Sequence, residues 1–281
     1  MIDLHVHSTA SDGELAPTGV VRHAADCGLQ TIALTDHDTL DGVAEAVDEG
    51  AKLGVRVVPG CEFSVGASWG EMHLLGYFLP TDNADLAEFL EVQRDMRLAR
   101  ARRIVDKLRR LGQKVTLDEV LAESVHGAVG RPHVARVLTK RGAVGSVNEA
   151  FLKYLRSGRP AFVPKKLPSI EEVTGIIRRL GGVSSAAHLA SRATRAALTE
   201  LRERGLDAVE ARHPSHDEVR SRRIEEWADA VGLLKTGGTD WHGPTEETDR
   251  APLGGIVVPE EWLGDMESLH QERTSTTEDG R

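Results

Sequence analysis

Cysteine is nearly absent from this chain of 281 residues, which has only Cys27 and Cys61. Both fall in apolar-rich segments, so reduced, buried thiols of a cytoplasmic protein are expected rather than a disulfide. Net positive charge is missing too: 35 basic residues against 44 acidic ones leave −9 with histidine neutral. That excludes nonspecific binding of duplex DNA or of an acidic membrane through a broad basic face. It leaves a phosphate ester open as a substrate, because bound cations would change the local charge. No apolar run reaches membrane-spanning length, so no membrane partner is expected. Met1 leads straight into a strand pattern, so no signal peptide is expected. Internal repeats and low-complexity linkers are absent as well. Histidine, by contrast, is plentiful at 12 residues, and its placement carries the information.

The length suits one large barrel-type domain, or a domain with an insertion. Ile2, Leu4 and Val6 alternate with Asp3, His5 and His7, the period of a strand. Helical patterns at 16–27 and 40–53 alternate with strand patterns at 30–35, 55–64 and 71–79, which predicts βα units. Residues 82–160 break that rhythm. A long arginine-rich helix over 85–111 and shorter ones at 116–124, 131–141 and 146–155 predict a helical insertion. The arginines of the long helix, Arg97 and Arg100 among them, are expected on a solvated face, paired with Glu88, Glu91 and Asp95. The alternation resumes with helices at 169–180, 194–204 and 216–231 and strands at 183–188, 207–211 and 233–236. The expected organisation is a barrel over 1–81 and 161–265, the insertion over 82–160, and a frayed polar tail over 266–281.

Histidines and carboxylates gather at the predicted strand ends: His5, His7, Asp12, His37, Glu62, His73, His188, Asp240 and His242. Barrel enzymes build their sites at that face from several strands. His5 and His7 are two apart and project to one face, as do Asp240 and His242. Glu62 opposes the parity of Val55, Val57, Pro59 and Cys61. Taken singly, each has a plainer explanation: a satisfied core histidine, a turn aspartate, a helix cap. Together, six histidines and three carboxylates are too many for one cation and suit two or three. Mixed imidazole and carboxylate donors fit Mn²⁺, Fe²⁺ or Zn²⁺ better than Mg²⁺ or Ca²⁺. An acidic protein could thus hold a cationic pocket attractive to a phosphate ester.

In order along the chain stand His5-Val6-His7, Ser11-Asp12-Gly13, Thr35-Asp36-His37-Asp38, Gly60-Cys61-Glu62-Phe63, His73-Leu74-Leu75-Gly76, Ala186-Ala187-His188 and Gly238-Thr239-Asp240-Trp241-His242. Gly130-Arg131-Pro132-His133 and Ala161-Phe162-Val163-Pro164 lie between them. This set resembles the PHP (polymerase and histidinol phosphatase) family, and its stand-alone phosphoesterases most. The resemblance runs from Met1 to about Gly255. It departs at Leu189, where the family usually has proline, and at Thr239 and Trp241, where serine and phenylalanine are commoner. The resemblance implies an α/β fold, a distorted (β/α)₇ TIM-like barrel, with a trinuclear site. One ion would be held by His5, His7, Glu62 and Asp240. A second would be held by Asp12, His37 and His242, and a third by Glu62, His73 and His188, with Glu62 bridging. Asp12, His37, Glu62, Asp240 and His242 would carry the chemistry, hydrolysis of a phosphate ester by metal-activated hydroxide. Asp36 and Asp38 are expected to orient ligand imidazoles.

Arg131 and His133 at the start of an insertion helix, and Arg195 and His213 after later strands, are the expected substrate contacts. For Arg131 an ordinary surface arginine beside a helix-starting proline is an equal alternative. His213 and His216 could equally be loop residues, and His23, His126 and His270 are expected to be structural or exposed. The expected substrate is a 3′,5′-bisphosphonucleoside or a short 5′-phosphorylated single-stranded RNA. The alternatives are a small sugar or amino-alcohol phosphate such as histidinol phosphate, or a noncatalytic metal-binding module. A binuclear amidohydrolase, which also opens on H-x-H, fits less well: the late motif here is D-x-H, and no lysine sits at a suitable strand end.

Overall fold

Strand order in space follows strand order in sequence. The structure, a computed structural model, describes residues 1–124, 129–244 and 251–278; His126 lies outside them. Seven strands form one curled sheet: β1 Ile2–Val6, β2 Thr31–Leu34, β3 Arg56–Ala67, β4 Gly70–Tyr77, β5 Val183–Ala186, β6 Ala208–Arg212 and β7 Leu234–Gly237. Beyond β7, Trp241 bridges in parallel to Val6, and the His7 N–H donates to the Trp241 carbonyl at 2.9 Å. The last strand is thereby brought round to the first.

Helices α1 Pro17–Asp26 and α2 Val43–Leu53 follow β1 and β2, and α7 Ile170–Arg179 precedes β5. Helices α8 Arg195–Glu203 and α9 Glu218–Val231 link β5, β6 and β7. Each presents an apolar stripe to the sheet, such as Ile170, Val173 and Ile177 on α7. The strict βα repeat fails at β4, which runs antiparallel to both β3 and β5. Strand β3 continues to Ala67, so only Ser68 and Trp69 precede β4. Two residues can close a hairpin but cannot make a parallel crossover.

Between β4 and β5 lie α3 Ala84–Arg110, α4 Leu117–Glu123, α5 Arg131–Lys140, α6 Val147–Ala150 and a π-helical turn, Phe151–Leu155. Leu86 and Leu90 at the start of α3 pack with the sheet's core. From Ala101 onward these helices build a separate apolar cluster around Ile104, Leu108, Val134 and Leu138, closed by Ala161 and Val163.

The polar tail expected over 266–281 is instead mostly helix: α10 spans Glu260–Glu278. Trp262, Leu263 and Met266 are buried and Leu269 packs beside them, an apolar stripe hidden in a polar composition. Arg273 then forks onto Asp207 at 2.6 and 2.9 Å, and His270 bonds the Gly181 carbonyl at 2.8 Å. Cys61 is buried as expected, Cys27 is only half-buried, and both are free thiols. No described helix is long and apolar enough to cross a membrane.

Candidate metal centre

The ends of β1, β2, β5 and β7, with the middle of β3 and β4, deliver their polar side chains to one place. On β1 and just beyond it, the parity facing the site is Asp3, His5 and His7, all buried. Asp3 accepts from Thr239 N at 3.0 Å, Thr239 Oγ1 at 2.6 Å and Gly254 N at 3.1 Å. That clamp fixes the loop carrying Asp240 against β1. Gly238 permits it, since a Cβ there would lie 2.5 Å from the His5 nitrogen. His188, Ala190 and Asp240 sit at positive φ (33°, 50° and 51°) without being glycine. Such backbone strain persists where the surroundings impose it, commonly at working sites.

His5 Nε2 and His7 Nε2 both face Glu62 Oε2, at 3.3 and 3.2 Å, and Asp240 Oδ1, at 3.4 and 3.1 Å. His37 Nδ1 approaches Glu62 Oε2 at 3.1 Å, and its Nε2 lies 4.0 Å from Asp12 Oδ2. His242 Nε2 lies 3.4 Å from Asp12 Oδ1. The other Glu62 oxygen, Oε1, meets His73 Nδ1 at 2.8 Å and His188 Nε2 at 2.9 Å, and those nitrogens are 3.3 Å apart. All nine expected ligand positions therefore fall in one cluster, and Glu62 stands at its middle.

This donor set fits divalent metal ions. Ligand atoms of His5, His7, Glu62 and Asp240 lie within 4.8 Å of one another, as do those of His7, Asp12, His37 and His242, and those of His37, Glu62 and His73. Six buried side-chain atoms have no hydrogen-bond partner among the described residues: His5 Nε2, both nitrogens of His7, His37 Nδ1, Glu62 Oε2 and His213 Nε2. Buried polar atoms normally find partners, and a cation would provide one. Burial pushes the carboxyl groups of Asp12, Glu62 and Asp240 up, but the neighbouring imidazoles hold all three well below the usual carboxylate range. Burial pulls His7 down, yet Asp240 and Glu62 raise it to about 10. His37 is pushed down to about 3 by burial, the neutral form a ligand needs.

The cluster opens into a cavity of about 620 Å³, whose other wall carries Arg97, Arg100, Arg131 and Lys165. The solvated face expected for Arg97 and Arg100 is corrected here: both are buried. Arg97 forks onto Asp38 at 2.5 and 2.6 Å. Lys165 Nζ lies 3.5 Å from Asp38 and 3.4 Å from Glu71. Burial pushes the Lys165 ammonium down to about 8, aided by Arg97 and against the pull of Asp38 and Glu71. Arg131 is half-buried, 3.9 Å from Glu71, and its guanidinium lies over the Phe151 ring at 5.7 Å.

Of the other expected contacts, His213 lines the cavity, with Nε2 3.6 Å from Asp240 Oδ2 and Nδ1 accepting from Ser215 N at 3.0 Å. His133 does not line it. Its Nδ1 accepts from Gly130 N at 3.0 Å and its Nε2 donates to the Ser11 carbonyl at 3.1 Å. Both nitrogens are spent on bracing α5 against the loop before Asp12. Arg195 is exposed at the start of α8 and outside the cavity. His216 is also structural: it accepts from Ala190 N and bonds the Ala211 carbonyl. Among the described residues, Asp36 is hydrogen-bonded to Ser8 and Ser11 and to no imidazole. It ties Ser8 and Ser11 together, as Asp38 ties Arg97. His23 stacks on Trp241.

Sequence reasoning missed Arg97, Arg100, Lys165, Glu71 and Glu210. Arg97 had a signal: it stands in the spacing Leu90, Gln93, Arg97, Ala101, Ile104, Leu108, the buried stripe of α3. Glu71 had one too, two residues before His73 on the same face of β4.

Comparison with known proteins agrees with this geometry. The sequence profile of the PHP domain matches residues 3–127. The chain is 33% identical over 253 residues to a 3′,5′-nucleoside bisphosphate phosphatase of Chromobacterium violaceum, covering 87% of this chain and 88% of that one. It is 31% identical over 247 residues to a 5′-3′ exoribonuclease of Haemophilus influenzae, covering 86% and 90%. A solved structure from Bifidobacterium adolescentis, described as a candidate metal-dependent phosphoesterase, superposes with a TM-score of 0.87 at 28% identity, covering 95% of this chain and 96% of that one. With a relative above 30% identity along most of both chains, and the expected ligand types gathered in one cluster, this chain belongs to the PHP family of metal-dependent phosphoesterases.

Proposed function

We propose that the chain hydrolyses a phosphate ester of a nucleotide carrying a second phosphate: a monoester of a 3′,5′-bisphosphonucleoside, or the first diester bond of a short 5′-phosphorylated RNA. The observation carrying this reading is the pairing, in one cavity, of the imidazole–carboxylate cluster with the cationic wall of Arg97, Arg100, Arg131 and Lys165. A monophosphate needs only the first. Four cations there face two carboxylates, Asp38 and Glu71, and a second phosphate dianion would balance the excess. Arginine is suited to that contact through its planar fork of donors. Phe151, beneath the Arg131 guanidinium, offers an apolar face to a nucleobase.

In this reading three Mn²⁺, Fe²⁺ or Zn²⁺ ions are held as the sequence suggested. His5, His7, Glu62 and Asp240 hold one, Asp12, His37 and His242 a second, and His73 and His188 with Glu62 a third. Such ions supply polarisation of the phosphoryl oxygens and activation of a water. The protein's own groups do the rest. Glu62, with Oε2 toward His5, His7 and His37 and Oε1 toward His73 and His188, would serve more than one of these positions. The cationic wall anchors the non-reacting phosphate and so orients the scissile one, converting binding into proximity. Arg131 closes the cavity from the helical side.

The test is a substrate panel with Mn²⁺ supplied: 3′,5′-bisphosphonucleosides, 5′-phosphorylated oligoribonucleotides, nucleoside monophosphates and histidinol phosphate. The bisphosphate is expected to exceed its monophosphate in kcat/KM by at least about 100-fold, the worth of one or two charge-assisted contacts. Turnover of histidinol phosphate alone would defeat the nucleotide reading. No turnover together with fewer than two ions per chain would favour a noncatalytic module.

A further inference from the structure

Glu210 is a carboxylate that the proposed reaction does not use. It stands in the middle of β6, between Val209 and Ala211, with no exposed surface. A buried carboxylate is costly unless it is paired and hydrogen-bonded, and Glu210 has two specific partners. Oε1 lies 2.9 Å from His5 Nδ1. Oε2 accepts from the backbone N–H of His188 at 2.7 Å. Both partners belong to the cluster, on opposite sides of Glu62, and His188 is the residue held at a positive φ of 33°.

We infer that Glu210 is a positioning residue that sets the proton of His5 on Nδ1 and pins the strained His188 backbone, so one carboxylate governs two candidate ion positions. The chemistry is specific. With Nδ1–H donating to Oε1, the lone pair of His5 sits on Nε2, the atom facing Glu62 and Asp240. Carboxylates that orient ligand imidazoles in this way raise metal affinity by 10–100-fold. Here the second oxygen extends the same control to the chain that presents His188. The inference rests on reading the cluster as a metal centre.

The discriminating variant is Glu210→Gln. A glutamine has one acceptor and one donor where glutamate has two acceptors. If its oxygen keeps the His188 N–H, its amide must donate to His5 Nδ1, which drives the His5 proton onto Nε2 and blocks the ligand atom. Zn²⁺ and Mn²⁺ affinities would be measured by chelator competition on folded protein. The His5 tautomer would be read by ¹⁵N–¹H correlation in the zinc-loaded state. Wild-type protein is expected to show Nδ1–H on His5. Glu210→Gln is expected to bind at least one ion about 10–100-fold more weakly. Thr174→Val, which breaks the bond from a buried hydroxyl on α7 to the Arg204 carbonyl, is the control for a disturbed core and should leave metal affinity unchanged. Glu210→Gln with wild-type affinity overturns the inference while the metal centre stands. An Nε2–H tautomer of His5 in the wild-type protein also overturns it and needs no variant. Absence of any divalent ion from wild-type protein would instead overturn the reading of the centre itself.

Discussion

At the scale of the residue, the candidate ligand pairs His5/His7 and Asp240/His242 were legible because their spacing is local, and the cationic wall was not because its partners are remote. His5 and His7 share a face by strand period alone. Arg97 looked like one solvated arginine among seven on a helix, and only Asp38, 59 positions away, shows that it is buried. The same remoteness misdirected His133 and Arg195, whose residue types suit phosphate but whose positions serve other ends. Two outcomes follow at this scale. Asp12→Ala should remove the carboxylate shared by His37 and His242 and lower kcat by more than about 100-fold, because a lost ligand costs more than the roughly 10–100-fold of a lost outer partner. Far-UV circular dichroism should stay unchanged, because Asp12 lies in a loop outside the strands and helices, although it is buried. Lys165 gives the pH dependence. Its folded value of about 8 lies below the ordinary 10.5. Above about pH 8 the wall loses one positive charge, so KM for a bisphosphate should rise while kcat holds. Lys165→Arg should flatten that rise, since guanidinium stays charged. Stability carries the opposite sign. Between about pH 8 and 10.5 the unfolded chain holds the extra proton, so this lysine's penalty on folding fades as pH rises.

At the scale of the element, helix α5 links the second apolar cluster to the centre. Its first turn returns the His133 ring to Gly130 N and to the Ser11 carbonyl, and Arg136 reaches the Asp12 carbonyl. The helix itself was legible from its proline start and apolar spacing. Its task was not, because a backbone carbonyl leaves no mark in the sequence as an acceptor. Replacing His133 by alanine leaves the buried Ser11 carbonyl and the half-buried Gly130 N–H without their partner, at a cost of about 1–3 kcal/mol. Denaturant unfolding should show that loss. Amide exchange at Ser11 and Gly13, whose N–H groups bond Ser8, should quicken more than exchange in β1. Equal acceleration everywhere would mean global destabilisation and no bracing role.

At the scale of the whole molecule, the alternation of strands and helices was readable from their periods, while the reversal at β4 was not. Two runs read as strands six residues apart proved to be one hairpin with two residues between. The tail failed for a related reason: its stripe is short and diluted by polar neighbours, and its partners Gly181 and Asp207 belong to other strand ends. The acidic chain nonetheless concentrates imidazoles where the strands converge, so the centre must bear on global stability. Glu62 and Asp240 draw protons onto His7, which binds one to about pH 10, and a metal must displace it. Binding therefore releases protons and weakens as pH falls. Ions that bind only the folded chain stabilise it by about 4 kcal/mol per site at 1,000 times Kd. Chelation should then lower Tm by on the order of 10 °C, and added Mn²⁺ should restore it. The restoration should be larger at pH 8 than at pH 6, because fewer protons compete for the imidazoles at the higher pH. A Tm indifferent to chelator at both pH values would show that the buried cluster is satisfied by protons alone.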